Sequence, residues 1–425
     1  MSSQRATARG TSAPMPSSRT DEVRLAAAAL FERRGYAATT MTHIADASGV
    51  LPGSLYHHFG SKEEIAVEIL KRFDRELGSV SARLAASAAG LAPEDRFRHL
   101  MREVAVLSFR HGGAVALRYF EPPTVATARL REAQQVRAPV LERMWKTAVD
   151  DVTGSGTGAE NARLLRFALK NLSLDAAAYF PGHPDPAAVA DDVSELLLHG
   201  IVADCPSDDE LDRSEALEAV DDALSTWPSR PEKPVDGDVR TRIIAAARTE
   251  FARHGYAATT IRDIAERAGV RMATLYRRVE SKEAMLADVV DAFSTSLDKA
   301  FRAALTTGEP GAASLDALAK TFVKARRRFR EESDILQIEH ATDSDLAPLS
   351  RYARQTQDRL RLLESVLQRG MAKGTLRSFA APQDIADPIR SVLWLAYQDS
   401  GRTSEARTHA FLRRTMLRGY MTPDS

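Results

Sequence analysis

An all-α fold of two tandem modules is what this sequence predicts, and three observations carry the prediction. The segment Phe31-Glu-Arg-Arg-Gly-Tyr-Ala-Ala-Thr-Thr40 returns as Phe251-Ala-Arg-His-Gly-Tyr-Ala-Ala-Thr-Thr260, and the offset of 220 residues (31 to 251) holds without a gap through Ser61-Lys62-Glu63 and Ser281-Lys282-Glu283. Seventeen of the 33 positions from Phe31 to Glu63 are identical in the second copy. Chance does not give that, and the period is too long for a solenoid. Around both copies apolar residues recur at helical spacing, and no Val/Ile/Thr-rich alternating run of strand length stands out.

The helical segments expected in the first copy are 22–34, 41–47, 52–59, 62–85, 96–109, 125–151, 159–179 and 186–202. Those of the second are 239–254, 282–305, 314–330, 345–373, 382–397 and 404–420. Gly35 ends the first helix as a left-handed cap. The Thr40 hydroxyl caps the second helix. Ser48-Gly49-Val50 is a tight turn with glycine free to take positive φ. The third helix turns Leu55 and Phe59 inward and Ser54, Tyr56, His57 and His58 outward. Ser61-Lys62-Glu63-Glu64 is a capping box that opens the long fourth helix. Pro93, Gly112-Gly113, Pro122-Pro123, the Gly154–Gly158 stretch and the 181–186 stretch are turn signals. Between the copies, 204–237 is acidic, and Pro231 and Pro234 make its end stiff. Leu211, Leu217, Val220 and Leu224 are spaced for a short amphipathic helix, with Trp227 as an anchor on the body of the protein.

Composition narrows the class. The 425 residues are 44% hydrophobic and 27% charged, enough for more than one buried core. Lys and Arg number 58, as do Asp and Glu, so a uniformly basic coat is excluded and a local basic face is not. The one cysteine, Cys205, excludes an intramolecular disulfide framework and a Cys-rich zinc site. Apolar runs stay far short of the ~20 residues of a membrane span. Residues 1–18 lack the apolar stretch of a secretory signal and read as a disordered arm. A cytoplasmic setting is the economical expectation. No enzyme is indicated: Thr-Gly-Ser-Gly-Thr-Gly at 153–158 lacks the following Lys-Ser/Thr and follows no strand. No metal site is expected either, since His57 and His58, adjacent on a helix, diverge.

Two short helices around a turn of small residues form a helix-turn-helix pattern. A cation at Lys62, in the first turn of a helix, opposes the helix dipole, and a phosphate bound there would make it tolerable. Residues 18–62 hold five Lys/Arg against four acids, net +1, and residues 238–282 hold ten against five, net +5. The second unit should therefore supply more of any salt-sensitive affinity for nucleic acid.

Gly35-Tyr36, Thr39-Thr40, Ile44-Ala45, Gly49-Val50, Leu55-Tyr56, Phe59 and Ser61-Lys62-Glu63 resemble the DNA-binding domain of the TetR family of bacterial regulators. Gly255-Tyr256, Thr259-Thr260, Ile264-Ala265, Gly269-Val270, Leu275-Tyr276 and Ser281-Lys282-Glu283 resemble it again. The resemblance implies two TetR-like modules, each a three-helix DNA-binding domain (19–66 and 238–286) followed by a helical effector and dimerisation domain (67–203 and 287–421). It places base-edge or groove contacts on Thr42, Pro52, Gly53, Ser54 and His57, and on Arg262, Met272, Ala273, Thr274 and Arg277. It places phosphate contacts on Tyr56, His58 and Lys62, and on Tyr276, Arg278 and Lys282. Leu51 and Arg271 stand where the family often has a capping Ser or Thr, and Arg271 is a further backbone contact. Double-stranded operator DNA is the implied partner. A small apolar or amphipathic effector is a possible ligand, and the resemblance implies that it swings the fourth helix.

Bundles hold such ligands between helices. Candidates are Met101, Phe109, Phe120, Trp145 and Phe167 in the first copy, and Phe322, Phe329, Ile338, Tyr352 and Trp394 in the second, although core packing is the commoner fate of such side chains. The C-terminal helices (159–179 with 186–202, and 382–420) are expected to pair as an internal four-helix interface. One chain would then be a pseudo-dimer reading an operator that is not a good palindrome. A homodimer with four readers is the rival. An effector-blind or activating regulator and an adaptor without DNA affinity are the alternative functions.

Overall fold

The computed structural model describes residues 18–87, 90–119, 127–135, 139–154, 158–180, 182–228, 238–308, 310–340, 346–398 and 403–421. The arm expected at the N-terminus lies outside them, save Ser18, which caps the first helix through its hydroxyl. The first copy comprises α1 (Arg19–Ala38), α2 (Met41–Ser48), α3 (Pro52–His58), α4 (Lys62–Ser87), α5 (Pro93–Arg110), α6 (Gly112–Tyr119), α7 (Ala128–Gln134), α8 (Pro139–Thr153), α9 (Ala159–Leu174), α10 (Ala176–Tyr179) and α11 (Pro186–His199). Two connector helices follow, α12 (Asp208–Asp212) and α13 (Glu215–Ser225). The second copy comprises α14 (Val239–Ala258), α15 (Ile261–Ala268), α16 (Met272–Tyr276), α17 (Lys282–Thr306), α18 (Ala312–Arg328), α19 (Arg330–His340), α20 (Ala347–Ala372), α21 (Pro382–Gln398) and α22 (Glu405–Leu417). The β pairing among the described residues is one isolated bridge, Val202 to Leu376. No described helix is long and apolar enough to cross a membrane.

Several expected boundaries move for local reasons. The 125–151 segment is two helices, since the Thr127 hydroxyl caps α7 and Pro139 opens α8 at a first-turn position that needs no N–H donor. The 159–179 segment breaks at Asp175, which separates α9 from α10. Gly35 has the expected positive φ (72°), but its ψ of 163° lies outside the left-handed helical well. The chain therefore makes a further turn before Thr39. Gly112 and Gly113 are not a loop; they lie in the first turn of α6, close against α1.

The acidic stretch between the copies is more than a linker. Its amphipathic helix, α13, packs on α17 and α18. Trp227 lies edge-on to Phe329 with centroids 5.0 Å apart, and its indole N–H donates to the Ser296 carbonyl at 3.1 Å. Upstream, Asp212 of α12 accepts from Arg413 of α22 at 2.5 Å and Asp208 pairs with Arg418 at 2.7 Å. The connector is thereby built into the second copy's core.

The two copies meet through their C-terminal helices: α11 packs on α21 and α22, and α9 on α21. The backbone bonds at this face are reciprocal. Ile201 N–H donates to Met416 O (2.8 Å) while Tyr420 N–H donates to Leu197 O (3.2 Å); Val202 N–H donates to Leu417 O (3.1 Å) while Met421 N–H donates to Leu198 O (2.7 Å). Adding 219 to each first-copy number gives its counterpart (201 to 420, 197 to 416). Such an exchange is the signature of an isologous contact. Glycine is required on both sides: a Cβ at Gly200 would sit 2.4 Å from Leu417 O, and one at Gly419 would sit 2.4 Å from Leu198 O.

Candidate nucleic-acid interface

Each helix-turn-helix is assembled from the same parts. Thr40 accepts from His43 N–H and Thr260 from Asp263 N–H, starting α2 and α15. Gly49 and Gly269 then take φ of 63° and 65° as left-handed caps, which a β-carbon would disfavour. This aims α3 and α16 outward, while Leu55 and Leu275 anchor each to its own core. Neither helix has a side-chain N-cap, as Leu51 and Arg271 cannot supply one. The second reader is the shorter: α16 stops at Tyr276, whereas α3 runs on to His58.

The exposed faces carry the residues placed there by sequence. Pro52, Gly53, Ser54, Tyr56, His57 and His58 are exposed, as is Thr42 on α2. In the second copy Arg262, Arg271, Met272, Ala273, Tyr276, Arg277 and Arg278 are exposed and Thr274 is half-buried. Of the seven exposed large hydrophobic side chains among the described residues, four (Leu51, Tyr56, Met272 and Tyr276) stand on or beside α3 and α16. Apolar side chains held in water on such a face fit contact with sugars and base methyl groups. Within this face His58 Nδ1 lies 3.2 Å from the Thr20 hydroxyl, tying α3 back to α1. The first helices of the two units, α1 and α14, touch.

Lys62 needs a different account from the one its sequence position suggests. Its ammonium donates to the carbonyls of Tyr36 (2.6 Å) and Thr39 (2.7 Å) and lies 4.2 Å from the centre of the Tyr36 ring. Lys282 does the same with Tyr256 (2.8 Å), Thr259 (2.9 Å) and the Tyr256 ring (4.2 Å). The unfavourable dipole of the lysine's own helix is offset by carbonyls at the C-terminal end of the preceding long helix, where a cation is welcome. No phosphate is required to explain either lysine.

The aromatic candidates of the effector bundles divide. Met101 and Trp145 are wholly buried, with Lys170 over the indole ring at 5.5 Å. Phe109 and Phe167 are partly buried against the same core. Phe322 lies edge-on to Phe301, and Phe329 joins Trp227 and Phe293. Tyr352 lies beside Phe293 on α20, whereas Trp394 is on α21, the helix that meets α9 and α11. Phe120 and the side chain of Ile338 fall outside the described residues. Ligand atoms of Glu94, Glu195 and His199 lie within 4.8 Å of one another, close enough to gather a cation. Arg98 already donates to both carboxylates, and Arg377 of the second copy to Glu195, so their charge is met by guanidinium groups.

Sequence reasoning missed the contacts between reader and bundle. Gly113 lets α6 approach α1 so closely that a Cβ would lie 2.3 Å from Ala28 O. Its signal, a glycine pair, was legible only as a turn.

The family model for bacterial regulatory proteins of the tetR family matches residues 24–69 and again 243–289. The chain belongs to the TetR family. Among curated relatives of this TetR-family chain, HTH-type transcriptional repressor KstR2 of Mycolicibacterium smegmatis is 53% identical over 58 residues, which is 14% of this chain but only 28% of that protein. KstR2 of Rhodococcus jostii is 29% identical over 163 residues, 37% of this chain and 77% of the relative. HTH-type transcriptional activator FasR of Mycolicibacterium smegmatis is 30% identical over 172 residues, 40% of this chain and 74% of the relative. Among solved structures, that of the ketosteroid transcriptional regulator KstR2 of Mycobacterium tuberculosis aligns with a TM-score of 0.40 at 22% identity, covering 44% of this chain and 97% of the other.

Proposed function

We propose that this TetR-family chain is a ligand-responsive transcriptional repressor that acts as a pseudo-dimer on a non-palindromic operator. The observation that carries the reading is the pair of exposed faces on α3 and α16, built on the same frame with different side chains: Pro-Gly-Ser-x-Tyr-His-His against Met-Ala-Thr-x-Tyr-Arg-Arg. Unlike faces favour unlike half-sites. The reciprocal backbone exchange around Gly200 and Gly419 supports an internal pairing, because it occupies the C-terminal helices that a second chain would need. Half-sites are then addressed about 34 Å apart.

Footprinting on the DNA upstream of its own gene tests this. A protected region with dissimilar halves, and one chain per site by sedimentation, is expected. A good palindrome bound by two chains overturns the pseudo-dimer, and no retardation of any duplex at low salt overturns DNA binding. The likeness to FasR, described as an activator, keeps one second reading open, and a promoter fusion whose expression falls when the chain is deleted would select activation.

A further inference from the structure

Both copies bury an arginine against the same point of their fourth helix, and only the first supplies it with a carboxylate. Positions 74 of α4 and 294 of α17 correspond at the 220-residue offset, and each follows a buried phenylalanine, Phe73 and Phe293. In the first copy Arg118 donates to Asp74 at 2.7 Å and lies 5.1 Å over the Phe73 ring. In the second copy position 294 is serine, 1% exposed. Arg359 of α20, 4% exposed, donates to the Ser294 hydroxyl at 3.3 Å and to the Thr356 hydroxyl at 3.0 Å, and lies 5.3 Å over the Tyr352 ring. The Ser294 hydroxyl in turn donates to Gln355 Oε1 at 2.6 Å. Among the described residues no carboxylate stands within ion-pair distance of Arg359.

A guanidinium cannot shed its charge. Hydroxyls and an aromatic face solvate it but do not neutralise it, and a buried unpaired cation is costly. Retaining one is reasonable where an anion arrives from outside, and the planar fork of arginine suits a carboxylate or a phosphate equally. Beside it Phe293 contacts Tyr352 (6.1 Å) and Phe329 (5.3 Å), an apolar surface next to a cationic head.

We propose that the second effector bundle holds a small amphipathic anion, its carboxylate or phosphate head on Arg359 and its apolar body against Phe293, Tyr352 and Phe329. The first bundle, internally neutralised by Asp74, does not. This rests on the ligand-responsive reading above and assigns it to one copy. Phe329 also touches Trp227, so occupancy is felt just past the end of the connector helix as well as by α17.

Thermal unfolding of the full chain with octanoate, octyl phosphate and 1-octanol tests the assignment. Octanoate or octyl phosphate should raise the melting temperature and octanol should not; which of the two anions acts identifies the head group. Ser294→Asp, which installs the first copy's carboxylate, should abolish the rise without removing the arginine, and Arg359→Gln should abolish it too. If Arg359→Gln does not fold, Ser294→Asp decides. Equal rises with octanol, no rise with either anion, or a rise that survives Ser294→Asp overturns the proposal. Gel retardation on the same preparations keeps the two readings apart: a chain that retards DNA without responding to the anions sinks this inference alone, whereas one that takes the anion and retards no duplex sinks the DNA reading.

Discussion

The reader of the first copy rests on its effector bundle through close packing, and the reader of the second through charge. In the first, Gly112 and Gly113 bring α6 against α1 so tightly that added β-carbons would meet the Glu32 side chain (2.2 Å) and the Ala28 backbone (2.3 Å). At the 220-residue offset Ala28 becomes Arg248 and Gly112 becomes Glu332. There Arg248 pairs with Glu331 (2.9 Å) and Glu332 (3.4 Å), and the Thr249 hydroxyl donates to Glu331 at 2.9 Å. Packed atoms transmit a displacement directly and ignore salt. A partly exposed ion pair tolerates small shifts and is screened. One module thus has a stiff junction and the other a compliant one, although their readers share a frame.

The largest effect should come from filling the stiff junction. Gly113→Val puts side-chain atoms where Ala28 backbone already stands, and overpacking of that kind costs about 3 kcal/mol. Urea denaturation should show that loss, and hydrogen exchange should show α1 opening before α14. Unchanged stability would mean that α6 can retreat and that the junction is not stiff.

The two lysines at the start of the fourth helices supply the control. Their carbonyl and ring contacts match in both copies. Lys62→Met and Lys282→Met should each cost about 2 kcal/mol, the range for hydrogen bonds to a charged donor. Near-equal losses place the asymmetry in the junctions, while a clear inequality would move it into the readers.

Breaking the compliant junction should cost less. Arg248→Met leaves Glu332 buried with less compensation, worth about 1–2 kcal/mol at low salt, between the usual values for exposed and buried pairs. The loss should shrink in roughly 0.5 M salt, where the wild-type pair is already weakened. A salt-independent loss would show that Arg248 acts by packing.

How much of this was legible in the sequence follows from what sets each feature. The frame of each reader was, because Thr40, Gly49 and Leu55 act within a few residues through caps, turns and helical period. The acidic connector betrayed its helix by the spacing of Leu217, Val220 and Leu224, yet nothing in it named the partners of its acids; Arg413 and Arg418, about two hundred residues away, are what make Asp208 and Asp212 part of the body. Lys62 misled for the same reason, since its partners are carbonyls that no side-chain pattern displays. The Arg359 and Asp74 asymmetry was visible only as unlike letters at one offset, and gained meaning once the fold brought α20 against α17.

The face between the copies extends the contrast and offers the smallest test. Position 192 of α11 is aspartate, whereas its counterpart at the 219-residue offset, Phe411 of α22, is an aromatic buried in the core. Burial first, then the charges of Asp384 across the face and of Asp191 and Glu195, outweigh His183 and push the Asp192 carboxyl up to about 6. An acid raised in the folded state binds its proton more readily there than in the unfolded chain, so it penalises folding above about pH 6, and the penalty fades as the pH falls towards about 4. Asp192→Asn should therefore stabilise the chain near pH 7.5, by about 1 kcal/mol once solvent screening of a half-exposed carboxyl is allowed for. Denaturation at about pH 7.5 and about pH 4.5 checks the sign: the gain should be largest at the higher pH and fall to about a third of that at the lower. A gain of equal size at both would mean that the substituted amide improves packing, and that the carboxyl of Asp192 is not repelled across the face where the two copies meet.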